Sequence, residues 1–268
     1  GPGNMKEISA MSLRIGIDIG STTSKCAVLK DGEELVATSL RVGGMGTEGP
    51  QEALDDLWAA AGLRAEEMAR TIVTGYGRKN YEGADGEISE LTAHALGGRF
   101  VFPDLRTVID IGGQDAKVIA LSPSGKMTNF VMNDKCAAGT GRFLDVMASI
   151  LRLDVDDLDA EAAKAAAPAA ISSTCTVFAE SEVISQLANG VRRPDLVAGI
   201  CRSVASRVAA LARRTGVTEQ VCLSGGVARN DAVRQALSDE LNVPVSVDPL
   251  AQYFGAIGAA LWAYKQTT

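Results

Sequence analysis

The amino-acid sequence predicts an α/β protein built from two duplicated lobes. The chain has 268 residues, a length that suits one large domain or two smaller ones. A strand-turn-strand pattern containing the letters I-D-I-G occurs twice, at residues 14–32 and 107–125. Apolar residues at helical spacing follow both copies. We therefore expect lobe I at residues 12–103 and lobe II at residues 104–268, and we interpret residues 1–11 as a tag remnant and N-terminal extension.

The remaining elements follow from local patterns along the chain. Each motif copy reads as a β-hairpin, because an apolar strand enters a glycine turn and a second strand leaves it. In lobe I, helices are expected at 50–61 and 88–96. In lobe II, helices are expected at 141–151, 177–187, 200–214 and 231–241, and a strand at 220–223. The acidic and then alanine-rich segment 154–170 is expected to be a surface helix and loop.

The composition excludes several classes of function. The formal net charge is −7, which argues against a nucleic-acid grip or an anionic membrane surface. No apolar run is long enough to span a bilayer and no signal peptide is recognisable, so we expect a cytoplasmic protein without a membrane partner. The single histidine removes most histidine-based catalysis and every histidine-rich metal site.

The two motif copies carry the chemistry that suits a nucleotide phosphate. Asp18 and Asp110 correspond at an offset of 92 residues, and each ends a strand before a glycine turn. A strand-end carboxylate can hold Mg²⁺ directly or through water, and glycine lets backbone N–H groups approach phosphate oxygens. The candidate phosphate contacts are Gly20, Ser21, Thr22, Thr23, Ser24 and Lys25 in the first copy and Gly112 and Gly113 in the second.

A third glycine turn completes the pattern. The segment L-S-G-G-V-A-R-N at 223–230 places two glycines between a strand and a helix, which lets an adenine and its ribose pack against the turn. The P-loop motif and the Rossmann glycine fingerprint after the first strand are both missing from the sequence. The three elements in this order resemble the actin, sugar-kinase and heat-shock-chaperone ATPase superfamily. The resemblance implies a duplicated two-lobe fold with a nucleotide cleft that binds ATP or ADP.

Two of the five cysteines have unusual surroundings. Cys136 and Cys175 lie in polar segments that lead into predicted helices, where the helix dipole favours a thiolate. Cys26, Cys201 and Cys222 lie in apolar patterns and are expected to be buried and inert. An iron–sulfur cubane usually needs four thiolates, so one chain with two candidates would need a two-fold partner to complete it. A buried, inert role remains the alternative for both candidates.

The long cysteine motifs resemble one family closely. The segments N-D-K-C-A-A-G-T-G-R-F-L-D-V-M and S-S-T-C-T-V-F-A-E-S-E-V-I-S-Q-L are similar to those of the activator ATPases (component A) of 2-hydroxyacyl-CoA dehydratases. That family includes the ATPase subunits of benzoyl-CoA reductases, the BadF/BadG/BcrA/BcrD type. V-T-G-Y-G-R at 73–78 and L-A-Q-Y-F-G-A-I-G-A-A-L at 250–261 also look like family motifs.

The resemblance implies a function and a set of site residues. Cys136 and Cys175 of each subunit would hold one [4Fe–4S] cluster across a homodimer. Ferredoxin or flavodoxin would supply an electron, and ATP hydrolysis would drive its transfer to the dehydratase (component D). Asp18 and Asp110 would hold Mg²⁺ or its waters, and Gln114 or Asp115 would orient the attacking water. The residues implied around the nucleoside are Gly225, Gly226, Arg229 and Gln252.

Two other functions fit the sequence less well. A small-molecule kinase of the same superfamily would need a substrate lobe, and this short chain has no inserted segment for one. A non-enzymatic, nucleotide-gated sensor would bind ATP without useful turnover. The kinase alternative would also leave the cysteine motifs unexplained.

Overall fold

The computed structural model describes residues 13–172 and 175–265. Within these residues, ten strands and eight α-helices follow one another along the chain. The strands are β1 (Leu13–Ile19), β2 (Thr23–Lys30), β3 (Glu34–Val42), β4 (Arg70–Thr74), β5 (Gly86–Glu87), β6 (Thr107–Ile111), β7 (Ala116–Leu121), β8 (Met127–Asn133), β9 (Val221–Ser224) and β10 (Val245–Ser246). The helices are α1 (Gly49–Ala61), α2 (Glu90–Val101), α3 (Gly141–Ile150), α4 (Leu158–Ala162), α5 (Thr176–Ala188), α6 (Arg193–Thr215), α7 (Asp231–Leu241) and α8 (Phe254–Lys265).

The chain divides into two compact units. The described residues up to Asp104, together with those from Pro249 onward, form unit 1, and Leu105–Asp248 form unit 2. The sequence analysis places the boundary near residue 103 and runs lobe II to residue 268. Residues 249–265, which include α8, pack in unit 1. The predicted segment 1–11 lies outside the described residues.

Both units contain a five-stranded sheet of the same topology. The strand order is β3-β2-β1-β4-β5 in unit 1 and β8-β7-β6-β9-β10 in unit 2. In each sheet the first three strands are antiparallel and the last two run parallel to the central strand. The central strands β1 and β6 carry the I-D-I-G motifs. The duplication predicted from the two motif copies is therefore a duplication of whole sheets.

Unit 1 covers both faces of its sheet with helices. On one face Ile15, Ile17 and Val28 pack against Leu54 and Leu57 of α1. On the other face α8 lies directly on β1. A side chain at Gly16 would collide with the carbonyl O of Ala256. A buried strand with a glycine at its centre thus admits the helix backbone, which explains why the C-terminal segment belongs to this unit.

Unit 2 is built around the buried strand β6 and the long helix α6. All five residues of β6 are buried. Helix α6 buries an apolar stripe that includes Leu196, Val204 and Val208. The helix begins earlier than the predicted residue 200, because Pro194 occupies its first turn, where a missing N–H costs no hydrogen bond. No helix in the described part of the chain is both long and apolar enough to cross a membrane.

Most predicted helices form close to their expected positions. The helix expected at 88–96 runs from Glu90 to Val101, and the hydroxyl of Ser89 caps it by accepting the N–H of Thr92. The segment 154–170 was expected to lie on the surface. It contains the helix α4 and is mostly exposed, as expected, although Leu158 is fully buried. Because acidic residues surround Leu158 in the sequence, its burial was not predicted.

Candidate functional site

The first motif turn joins β1 and β2 in unit 1. Asp18 is 4% exposed and lies beside Lys25 in the hairpin register. The N–H of Gly20 donates to the carbonyl O of Thr23 at 2.9 Å, and the carbonyl O of Gly20 accepts the N–H of Met45 at 2.9 Å. These two bonds fix a tight turn whose tip, Ser21 and Thr22, is exposed. The geometry leaves those two residues available to a phosphate.

One predicted phosphate contact does not fit this geometry. Ser24 is fully buried, and its hydroxyl donates to the carbonyl O of Gly43 at 2.7 Å. The hydroxyl therefore braces the loop after β3 and is not exposed at the turn. Thr23 is half-buried, and its Oγ1 accepts a hydrogen bond from Lys25 Nζ at 2.9 Å. The same Nζ lies 3.6 Å from Asp18 Oδ2.

The second motif turn, in unit 2, repeats the first closely. The N–H of Gly112 donates to the carbonyl O of Asp115 at 2.9 Å. Lys117 Nζ lies 3.6 Å from Asp110 Oδ2 and 3.5 Å from Asp115 Oδ1. Asp115 is thus a member of a buried ion-paired cluster, whereas Gln114 at the tip of the turn is exposed. Of the two residues predicted to orient water, Gln114 has the more accessible side chain.

The sequence analysis missed two hydroxyl residues that lie beside the motif aspartates. Strand β4 pairs Thr74 with Asp18, and strand β9 pairs Ser224 with Asp110 in the same register. Ser224 Oγ donates to Asp110 Oδ1 at 2.9 Å. Thr74 Oγ1 is buried and makes no hydrogen bond within the described part of the chain. The signal was present in the sequence, because T-G at 74–75 matches S-G at 224–225.

A glycine follows each of these hydroxyl residues, because the backbone conformation and the close contacts of both turns exclude a side chain. Gly75 has φ of +95° and Gly225 has φ of +85°, values that L side chains rarely adopt. A side chain at Gly75 would collide with the carbonyl O of Ile19, and one at Gly225 with that of Ile111. Both turns therefore bring the backbone against the strand that carries the aspartate.

The predicted nucleoside residues are divided between the two units. In unit 2, Gly226 is exposed, and a side chain there would meet no other atom within 4 Å. Arg229 is exposed and forms an ion pair with Asp156, at 3.3 Å between Nη2 and Oδ1. In unit 1, Gln252 lies half-buried in the turn Ala251–Tyr253. Open backbone at Gly226 suits the close approach of a flat ring.

The cysteines separate into two groups by burial. Cys26, Cys201 and Cys222 are buried, as predicted, and burial raises the pKa of the Cys26 and Cys201 thiols to about 12. Burial also raises the pKa of the Cys222 thiol. Cys136 and Cys175 are exposed. The alternative of a buried position for these two cysteines is therefore wrong.

Both exposed cysteines lie at the start of a helical segment. Cys136 precedes the 3₁₀ turn Ala137–Gly139, and Cys175 precedes α5. The predicted placement near helix N-termini is confirmed. Among the described residues, no group of three or more His, Cys, Asp or Glu side chains could hold a metal ion. Each chain therefore offers two accessible thiols, half of the set that a cubane cluster requires.

Distant structural similarity shows the fold of the chain. A ROK-family glucokinase from Streptomyces griseus, in complex with glucose and AMPPNP, superimposes with a TM-score of 0.54 at 15% identity, covering 94% of this chain and 99% of that one. At this identity the likeness shows the fold alone. The predicted fold class, the duplicated α/β fold of actin and the sugar kinases, is confirmed.

The family follows from stronger matches. The model of the BadF/BadG/BcrA/BcrD ATPase family matches residues 15–263, and the chain belongs to this family. The (R)-2-hydroxyglutaryl-CoA dehydratase activating ATPase of Acidaminococcus fermentans is 58% identical over 253 residues, 94% of this chain and 97% of that protein. The structure of the activator of the 2-hydroxyisocaproyl-CoA dehydratase from Clostridium difficile, with bound ADPNP, has a TM-score of 0.92 and 51% identity, covering 95% of each chain. The resemblance drawn from the motifs and the predicted enzyme class, an ATPase, are both confirmed.

Proposed function

We propose that this protein is an ATP-hydrolysing activator that delivers a low-potential electron from ferredoxin or flavodoxin to a 2-hydroxyacyl-CoA dehydratase. Similarity over nearly the whole chain to two activators of such dehydratases supports the proposal. The observation that carries it is the contrast among the cysteines, since only Cys136 and Cys175 of the five are exposed. We further propose that the protein works in the cytoplasm as a homodimer.

The two thiols fit a shared iron–sulfur cluster. Four thiolates bind a [4Fe–4S] cluster, and two subunits related by a two-fold axis would supply them as Cys136 and Cys175 of each chain. When bound, the cluster would accept and release one electron at a time. Both residues are exposed at the start of a helical segment, so their thiols are accessible to iron. The three buried thiols, with raised pKa values, are poor ligands.

The motif turns fit the nucleotide. Backbone N–H groups and hydroxyls at the tip of the first turn, Ser21 and Thr22, would contact phosphate oxygens. The carboxylates of Asp18 and Asp110 would hold Mg²⁺ or its waters. Lys25 and Lys117 form ion pairs with these carboxylates, since each ammonium lies 3.6 Å from its aspartate. Gln114, exposed beside Gly113, would orient the attacking water.

A short backbone route joins the phosphate turn of unit 2 to Cys136. The N–H of Gly141 donates to the carbonyl O of Gly112 at 2.8 Å, and the N–H of Arg142 donates to that of Gly113 at 2.9 Å. These two donors open α3, whose first residue lies five positions after Cys136. We infer that a change at the phosphate turn on hydrolysis shifts α3 and, with it, the cysteine. This gives ATP turnover a physical route to the thiol.

The test is the iron and sulfide content of protein reconstituted under anaerobic conditions. We expect about two irons per chain in a dimer, an electron paramagnetic resonance signal after reduction, and ATP-dependent activation of a dehydratase. Cys136→Ser and Cys175→Ser should lose the iron and the activation. Cys201→Ser, which changes a buried thiol, is the matched control and should keep both. A double variant of the exposed cysteines that still activates a dehydratase would refute the proposal.

A further inference from the structure

One side chain holds both backbone polar groups of Cys136. Asn133 is the last residue of β8, and its Oδ1 accepts the N–H of Cys136 at 3.1 Å. Its Nδ2 donates to the carbonyl O of the same residue at 3.0 Å. The same Oδ1 also accepts the N–H of Lys135 at 3.3 Å. The amide therefore uses its acceptor and its donor on the short segment that carries the cysteine.

The sheet fixes the position of Asn133. Asn133 pairs with Ala116 at the start of β7, so its Cα position is fixed by the strand ladder. On the other side of the cysteine, Thr140 closes the 3₁₀ turn, with its N–H and its hydroxyl both donating to the carbonyl O of Ala137. Cys136 itself is exposed and lies between these two fixed points. Only the Asn133 amide, among the hydrogen bonds of the described residues, holds its backbone.

Different residues lie around the other exposed cysteine, Cys175, whose carbonyl O accepts the N–H of Ala179 at 2.9 Å. Ahead of Cys175, the N–H of Ser172 donates to Glu182 Oε1 of α5 at 2.9 Å. From the same helix, Gln186 Nε2 donates to the carbonyl O of Ala170 at 2.8 Å. Asn133 takes no part in these contacts. A change at Asn133 should therefore affect Cys136 and leave Cys175 unchanged.

We propose that Asn133 is a positioning residue that sets the Cys136 thiol in the direction needed to hold its metal cluster. The inference rests on the proposed function, because only a protein that attaches a cluster needs this thiol fixed in direction. Groups that hydrogen-bond to the residues around a metal fix the orientation of its ligands, and their loss weakens metal binding about 10- to 100-fold. Asn133 acts in this way through the backbone of the ligand residue.

The experiment compares three variants with the wild-type protein. Asn133→Ala removes all three hydrogen bonds. Asn133→Asp keeps both acceptor bonds, removes the donor bond and adds a negative charge. Asn129→Ala is the matched control, because Asn129 lies on the same strand and, within the described residues, its Oδ1 accepts only the N–H of its neighbour Phe130. All variants should unfold at the same temperature as the wild type, since both asparagines lie at an edge strand.

Two readouts test the proposal. In the cluster-free protein, alkylation of each thiol by iodoacetamide is followed by peptide mass spectrometry. We expect Asn133→Ala to speed modification of Cys136 and to leave Cys175 at the wild-type rate. In the reconstituted protein, iron loss to a chelator should be about tenfold faster for Asn133→Ala. Asn133→Asp should lose iron at an intermediate rate and lower the reduction potential, because the added charge favours the oxidised cluster.

The outcomes separate this inference from the proposed function. If the wild type takes up no iron, the proposed function fails, and the alkylation rates still decide whether Asn133 holds Cys136. If the wild type binds iron but Asn133→Ala matches Asn129→Ala in both readouts, the role of Asn133 is refuted and the proposed function stands. Equal acceleration of both thiols would also refute it, because general loosening of the fold would then explain the result.

Discussion

The buried ion-paired cluster of unit 2 gives a quantitative prediction for Lys117. Its Nζ lies 3.6 Å from one carboxylate and 3.5 Å from another, and the side chains of Lys117, Asp110 and Asp115 are 6%, 6% and 12% exposed. At an effective dielectric constant near 20, each pair gains roughly 4–5 kcal/mol of Coulomb energy, part of which desolvation cancels. Lys117→Met keeps the length of the side chain and removes the ammonium that pairs with both buried carboxylates. We expect the free energy of unfolding to fall by about 3–5 kcal/mol at pH 7.

The duplicated unit supplies the control for this variant. Lys25 lies 3.6 Å from a single carboxylate, that of Asp18, and is 14% exposed. Lys25→Met leaves one unpaired carboxylate, so we expect a loss of about 2 kcal/mol, roughly half of the loss at Lys117.

The assay is urea unfolding of nucleotide-free protein, followed by two signals. Both tryptophans of the chain, Trp58 and Trp262, lie in unit 1, so fluorescence follows that unit, whereas far-ultraviolet circular dichroism follows the whole chain. Lys117→Met should shift the dichroism transition to lower urea more than Lys25→Met does. The reasoning is refuted if Lys117→Met lies within about 1 kcal/mol of the wild type, or if the two variants lose equal stability.

Three further predictions test other parts of the molecule. Iodoacetamide should label only Cys136 and Cys175 in the native cluster-free protein, because burial raises the thiol pKa of the other three, and a third labelled peptide would contradict this. The hydrogen bond from Arg193 lowers the pKa of Glu161, so the stability that Glu161→Gln removes should be present at pH 7 and vanish as the pH falls below about 4 in pH-dependent urea unfolding. Gly225→Ala should cost about 2 kcal/mol or more in the same assay, whereas Gly226→Ala, which meets open space, should stay within about 0.5 kcal/mol.

The sequence could predict the duplicated hairpins because their signals are local. The I-D-I-G strands, the glycine turns and the lysines recur at a constant offset of 92 residues. The hydroxyl residues Thr74 and Ser224 are equally equivalent in the structure, but they are 150 positions apart. Unit 2 therefore has 58 more residues than unit 1 between its motif turn and its hydroxyl residue, an insertion that contains α3, α4 and α5. A search at constant offset could not find the second pair.

Helix α8 shows what a local sequence pattern cannot predict. Its residues are apolar or small on every side, so the pattern predicts a buried helix but not the sheet that it covers. That choice depends on Gly16, where the absence of a side chain admits the backbone at Ala256. Contacts between residues 240 positions apart depend on tertiary packing, and no local period reports them. For the same reason Ser24 was predicted as a phosphate contact, since its partner Gly43 lies on the far side of β3.

The insertion also explains how one duplicated turn acquires a second role. In unit 1, the carbonyl O of Gly20 accepts the N–H of Met45, in a loop that leads only to α1. In unit 2, the equivalent carbonyl O of Gly112 accepts the N–H of Gly141, at the start of the inserted helices. Cys136 lies just before this donor, and Cys175 lies ahead of α5. A hydrogen bond that only closes a turn in one copy thus joins the phosphate turn to the cysteine segment in the other. Because this link exists in unit 2 alone, changes at Gly112 and Gly113 should reach the thiols, whereas changes at Gly20 should affect nucleotide binding only.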